Sequence, residues 1–153
     1  MSAGSGSGTP RVVAVGDVLP PLEINVTATL IAAGAIASRD FMPVHHDRDY
    51  ANSQGAPDIF FNILSDTGYC SRFLTDWAGP NAMLSHLAIR LGVPVFPGTP
   101  LVYTGEVTAV SPTDGDPADG GQTVDVAFRA ATPMGDHVTG TARLTLVDAS
   151  RAG

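Results

Sequence analysis

Apolar and polar positions fall into two clear rhythms along the chain. The first is alternation. "QTVDVAFRAAT" sets Val124, Val126, Phe128 and Ala130 on one side. "DHVTGTARLTLVDA" sets Val138, Ala142, Leu144 and Leu146 against Thr139, Thr141, Arg143 and Thr145. "PLVYTGEVTAVS" groups Leu101, Tyr103, Val107 and Ala109, and "LSHLAIRLGVPV" alternates around Leu87, Ile89 and Leu91. A period of two describes an antiparallel sheet with one face buried and the other wetter. Upstream, "LEINVTATL" follows a break at Pro20 and Pro21 and carries the β-branched residues of a strand.

The second rhythm is helical and runs from Asp58 to Trp77. Ile59, Phe60, Ile63, Leu64, Cys70, Phe73, Leu74 and Trp77 mostly keep i, i+3, i+4 spacing. Asp58 after Pro57 predicts the start, and Gly79-Pro80 the stop. Phe61 and Tyr69 widen the apolar sector, which predicts a central helix wrapped by other structure. Residues 31–38 fit either a short helix or a connection, and the segment beyond them is punctuated by Pro43, Gly55 and Pro57.

One or two strands, a long buried helix and then about four strands in a meander predict an α+β fold. Its form is a curved antiparallel sheet wrapped around one long central helix. Such a sheet leaves an edge strand open, and pairing two copies there would give a dimer with a continuous sheet.

Composition narrows the function classes. The chain of 153 residues, 44% hydrophobic, fits one domain over residues 11–150 behind a Gly/Ser-rich tail at residues 1–10. A net charge of −7 with no basic cluster argues against a nucleic-acid surface. The lone Cys70 rules out an internal disulfide framework and reads as a buried structural thiol. "MSAGSGSGTP" lacks the layout of a signal peptide, and no run of roughly 18 apolar residues offers a membrane span. A cytoplasmic protein is expected. The acidic, turn-rich stretch from residue 112 to 121 reads as a hairpin loop.

The stretch with candidate chemistry is "SRDFMPVHHDRDYA", residues 38–51. As a solvated corner it needs no function. As a site, Asp40 and His45 could face one another across a bend at Pro43, an acid and a base within reach of one water. A helix amino terminus nearby would supply free N–H groups for a developing oxyanion. A metal site built on His45, His46, Asp47 and Asp49 is a second reading, though adjacent histidines in an extended loop point apart. No G-x-S-x-G elbow marks a nucleophile. His86 fits a solvated strand face, and turn chemistry accounts for His137 after Gly135-Asp136.

The stretch "RDFMPVHHDRDYA", followed by a long helix and a meander, resembles the MaoC-like (R)-specific enoyl-CoA hydratases of the hotdog fold. Their signature runs G-D-x-N-P-L-H with a small residue further on. Asp40, Pro43, His45 and Ala51 match it, whereas Arg39 stands for the glycine and Met42 for the asparagine. "VHHDRDYA", "DIFFNILSDTG", "LTDWAGP", "IRLGVP" and "GEVTAV" are similar to the small MaoC-like subunits of actinobacterial steroid side-chain enoyl-CoA hydratases, over residues 15–148. The resemblance implies that Asp40 and His45 are the catalytic pair that hydrates an enoyl-CoA thioester. By position the backbone N–H of Asn62 would receive the thioester oxyanion, with Pro43 and His46 beside the substrate. It implies no metal and no other cofactor. It also implies a second MaoC-like chain in a heterotetramer, with a homodimer acting on fatty enoyl-CoAs, a thioesterase, or a non-catalytic half completing a partner's site as the other readings.

Overall fold

The computed structural model describes residues 12–113 and 121–146; residues 1–11, 114–120 and 147–153, which take in the expected tail and most of the expected acidic hairpin loop, lie outside them. Five strands form one antiparallel sheet: β1 (Val18–Val26), β2 (Met83–Leu91), β3 (Thr99–Pro112), β4 (Gln122–Thr132) and β5 (Gly135–Leu146). Their spatial order is β1-β3-β4-β5-β2. Only β3, β4 and β5 meander. β2 crosses to the far side and pairs with β5, a departure from the four-strand meander expected.

The alternation holds best in β4, where Val124, Val126, Phe128 and Ala130 are all buried. In β3 it slips. A register shift between Val107 and Ala109 turns Ala109 outward, against the expected pattern. A bulge inserts one residue and inverts the facing of the residues beyond it. Pro20 and Pro21 lie within β1 rather than before it. Two residues without N–H groups are tolerated there because β1 is an edge strand, with its own register shift between Leu19 and Leu22.

The strand predicted to run on to Leu30 stops at Val26. Thr27 accepts a hydrogen bond from Leu30 N at 3.0 Å and caps α1 (Ala28–Ala37). A short α2 (Arg48–Ser53) comes next, capped by Asp47, and then the long α3 (Ile63–Ala78). α3 begins five residues later than Asp58. Its cap is Asn62, whose Oδ1 accepts from Ser65 N at 3.2 Å, while Ile59 and Phe61 are buried on an extended approach. The predicted stop holds, with Gly79 at φ +90.

α3 lays Cys70, Phe73, Leu74 and Trp77 on the sheet. Phe73 packs 5.9 Å from the Tyr103 ring and 6.4 Å from Phe128, centroid to centroid. Each such side chain contributes about 1.5–3 kcal/mol by leaving water. The other face is open at its start, where Ile63 and Leu64 are half exposed. α1 crosses close to α3 because Gly34 has no side chain; a Cβ there would collide with Ser65 Oγ. No helix among the described residues is long and apolar enough to cross a membrane.

Candidate active site

The end of α1 places the first functional group. Asp40 N donates to Ala35 O at 2.9 Å and Arg39 N to Ile36 O at 3.0 Å, the paired bonds that close a helix through a left-handed residue. That residue is Arg39, at φ +60. The position suits glycine, which is what the hydratase signature carries there. Asp40 is therefore fixed by the helix terminus rather than hung on a free loop.

Pro43 opens a single 3-10 turn, Pro43–His45, and its fixed φ suits a first helical position. The turn carries His45 inward, where it is 7% exposed. Nδ1 of His45 lies 2.7 Å from Phe60 O, and its ring meets the Phe60 ring edge-on at 5.0 Å. A carbonyl only accepts, so Nδ1 carries a proton and Nε2 is turned to the site. His45 Nε2 then lies 3.4 Å from Asp40 Oδ2. The acid and the base expected to face one another do so.

Asn62 joins them, by its side chain. Its Nδ2 donates to Asp40 Oδ2 and to Ser38 Oγ, each at 3.0 Å. The residue is 1% exposed, and its one amide both caps α3 and holds the carboxylate. The resemblance implies only a backbone role for Asn62. The N-x-x-S spacing of Asn62 and Ser65 ahead of an apolar helix was the signal that could have revealed the cap. The Asn62 hydrogen bond, followed by that from Met42 N and the charge of His45, outweighs partial burial and holds the Asp40 carboxyl below its usual range. Met42, where the signature has asparagine, is exposed, and Asp40 takes its amide partner from Asn62 instead.

The remaining candidates fall elsewhere. His46 is exposed and its Nε2 meets Phe41 O at 3.3 Å, bracing the loop. Asp47 is spent on capping α2, accepting from Tyr50 N at 3.0 Å. No three His, Cys, Asp or Glu side chains converge as metal ligands among the described residues. Arg48 pairs with Asp58 at 2.8 Å and Arg72 with Asp76 at 3.2 Å. His86 is exposed as expected.

His137 corrects the turn reading. It is 3% exposed, with Nε2 2.7 Å from Oδ1 of the buried Asp66 and Nδ1 2.6 Å from Val93 O. Burial pulls its pKa down, but the Asp66 hydrogen bond and charge, with the Val93 carbonyl, more than reverse that and leave it raised. The partners are 71 residues apart in sequence, and no local pattern announces them.

No protein-family model matches the chain. The beta subunit of the Mycobacterium tuberculosis 3-oxo-4,17-pregnadiene-20-carboxyl-CoA hydratase is 48% identical over 134 residues, which cover 88% of this chain and 97% of that subunit. Among solved structures, the ChsH1-ChsH2 complex from Mycobacterium tuberculosis matches with a TM-score of 0.80 and 44% identity, over 88% of this chain and 99% of the matched one. The (R)-hydratase from A. caviae involved in PHA biosynthesis matches with a TM-score of 0.74 at 24% identity, over 88% of this chain and 97% of its own, which supports the fold. With the hotdog sheet around α3 and this extent of identity, the chain belongs to the MaoC-like hydratases, in the family of the 3-oxo-4,17-pregnadiene-20-carboxyl-CoA hydratase beta subunit.

Proposed function

We propose that the chain is the catalytic subunit of an enoyl-CoA hydratase, with Asp40 and His45 as its acid/base pair and a steroid side-chain enoyl-CoA as substrate. The observation that carries the site assignment is the pairing of Asp40 Oδ2 with His45 Nε2 at 3.4 Å, each held by a separate partner. The substrate class rests on the relative at 48% identity, which is the beta subunit of a 3-oxo-4,17-pregnadiene-20-carboxyl-CoA hydratase.

The chemistry balances on these two residues. Asp40, kept ionised by Asn62, takes a proton from water as the water oxygen bonds to the β-carbon. His45 Nε2–H delivers its proton to the α-carbon, so one water adds across the double bond. The proton on Asp40 then returns to Nε2 across their contact. Meanwhile the thioester oxygen gains negative charge, and the Asn62 N–H at the start of α3 is its proposed donor. Pro43 shapes the turn beside the substrate, and His46 supports the loop. Neither step calls on a metal or another cofactor.

A second MaoC-like chain is the proposed partner, in a heterotetramer, as the two-component ChsH1-ChsH2 match suggests. A CoA substrate and a single buried cysteine fit a cytoplasmic location.

The test offers the chain, alone and co-expressed with a candidate partner, three substrates: a short enoyl-CoA, a medium-chain one and a steroid side-chain one. Mass spectrometry then reads the addition of one water. Hydration should favour the steroid substrate and fall about 10²- to 10⁴-fold in Asp40→Asn and His45→Ala. Wild-type turnover in either variant would remove the catalytic assignment, and a preference for the medium chain would replace the substrate class.

A further inference from the structure

We propose that the buried pair Asp66–His137 is a positioning device for the hydration site, fixing Asp40 and His45 through two routes that meet at His137. The inference rests on the assignment of Asp40 and His45 as the reacting pair.

The first route runs through α3. His137 Nε2 holds Asp66 Oδ1 at 2.7 Å, and Asp66 N donates to Asn62 O at 3.0 Å. Asn62 Nδ2 then holds Asp40 Oδ2 at 3.0 Å. The second runs through the segment after β2. His137 Nδ1 lies 2.6 Å from Val93 O, and two residues on Val95 O accepts from Phe61 N at 3.0 Å. Phe60 O, one residue back, takes the Nδ1 proton of His45 at 2.7 Å. The contact between Asp40 and His45 closes the ring. One imidazole thus sits between the supports of both reacting groups.

His137 is suited to this and few residues would replace it. Val93 O can only accept, so Nδ1 donates to it; against an Asp66 carboxylate Nε2 donates as well, which makes the ring an imidazolium. Asp66 Oδ2 has no hydrogen-bond partner among the described residues, so the bond through Oδ1 carries the placement of the carboxylate. Cys70 on α3 and Tyr103 on β3 both feel the Asp66 charge, and neither supplies a positive one. A buried carboxylate without its cation would pull the first turn of α3 toward water.

The test uses the assembled enzyme and whichever enoyl-CoA the wild type hydrates. His137→Gln keeps a donor toward Asp66 and loses the one to Val93; His137→Asn does the reverse. Misplacement of reacting groups by about 1 Å costs on the order of 10²-fold, so kcat should drop by that order in both variants while KM moves only a few-fold. Assayed well below the thermal transition, an unchanged kcat would reduce the pair to a structural role and overturn the proposal. Asp40→Asn runs in parallel: if it too keeps full activity, the reading of the site has failed, whereas its loss alone isolates the failure to His137. Should both variants be unfolded, histidine-labelled NMR of the wild-type complex decides. Both His137 ring protons should be present at neutral pH, and a single ring N–H would overturn the proposal.

Discussion

Asn62 donates from its side-chain amide to Asp40 Oδ2 at 3.0 Å while the oxygen of the same amide accepts from Ser65 N at 3.2 Å. Start of helix and orientation of the carboxylate are therefore one arrangement. Asn62→Ala should cost about 0.5–2 kcal/mol through the lost cap. It should also let the Asp40 pKa rise toward the ordinary carboxylate value, since this bond is the main cause of its depression. The acid limb of kcat/KM against pH should then move to higher pH. Asn62→Asp restores the cap but sets a like charge against Asp40, so its acid limb should lie higher still. An unmoved limb in both variants would show that Asp40 does not govern it.

The His137 pair should give stability a pH dependence of known sign. Folded His137 holds its proton more tightly than the unfolded chain. Its contribution is complete below the unfolded value, about 6.5, and fades as pH rises through the higher folded value. Asp66→Asn should destabilise by about 3–5 kcal/mol, because it leaves a buried cation uncompensated. Urea unfolding from pH 5 to 9 checks both points: the wild type should lose stability across the upper half, and the variant should show a weaker slope there.

Gly140 is a packing constraint on β5. A Cβ at this position would lie 2.5 Å from Phe128 Cζ and 2.6 Å from Ala88 O, so the ring or the β2 backbone must move. Gly140→Ala should lower stability by about 1–3 kcal/mol. Thermal unfolding at constant pH reads it directly, and an unchanged Tm would mean that the ring turns aside at no cost.

Cys70 should be chemically silent. It is fully buried, and burial, reinforced by the Asp66 charge, leaves its thiol pushed up to about 12. Iodoacetamide at pH 8 should add nothing to the folded protein and a single adduct in denaturant, by intact mass. Rapid labelling without denaturant would show that α3 opens readily.

The parts legible in the sequence alone are those governed by local periodicity or by one short loop. β4 is buried on the face its alternation marks, and Asp40 and His45 meet because Pro43 sets the bend between them. Structure and local pattern part where tertiary context overrides the pattern. Ile59 and Phe60 fit a helical spacing and Phe61 widens its apolar sector, yet all three form an extended approach, with Phe60 O committed to His45 and Phe61 N to Val95 O. The prolines of β1 suggested a break, but an edge position removed the penalty. The partner of His137 lies on another element altogether, and burial of both groups is a property of the packed core that no window of sequence contains.

The two edges of the sheet are unequal, and this limits how copies or relatives can add to it. Both edge strands carry a register shift, but β1 presents Pro20 and Pro21, whereas β2 runs from Met83 to Leu91 without proline. Growth by strand addition is therefore open on one side only. Two sheets that join through β2 would present only proline-bearing edges to further strands, which disfavours propagation into a fibre and leaves any larger assembly to contacts other than strand pairing.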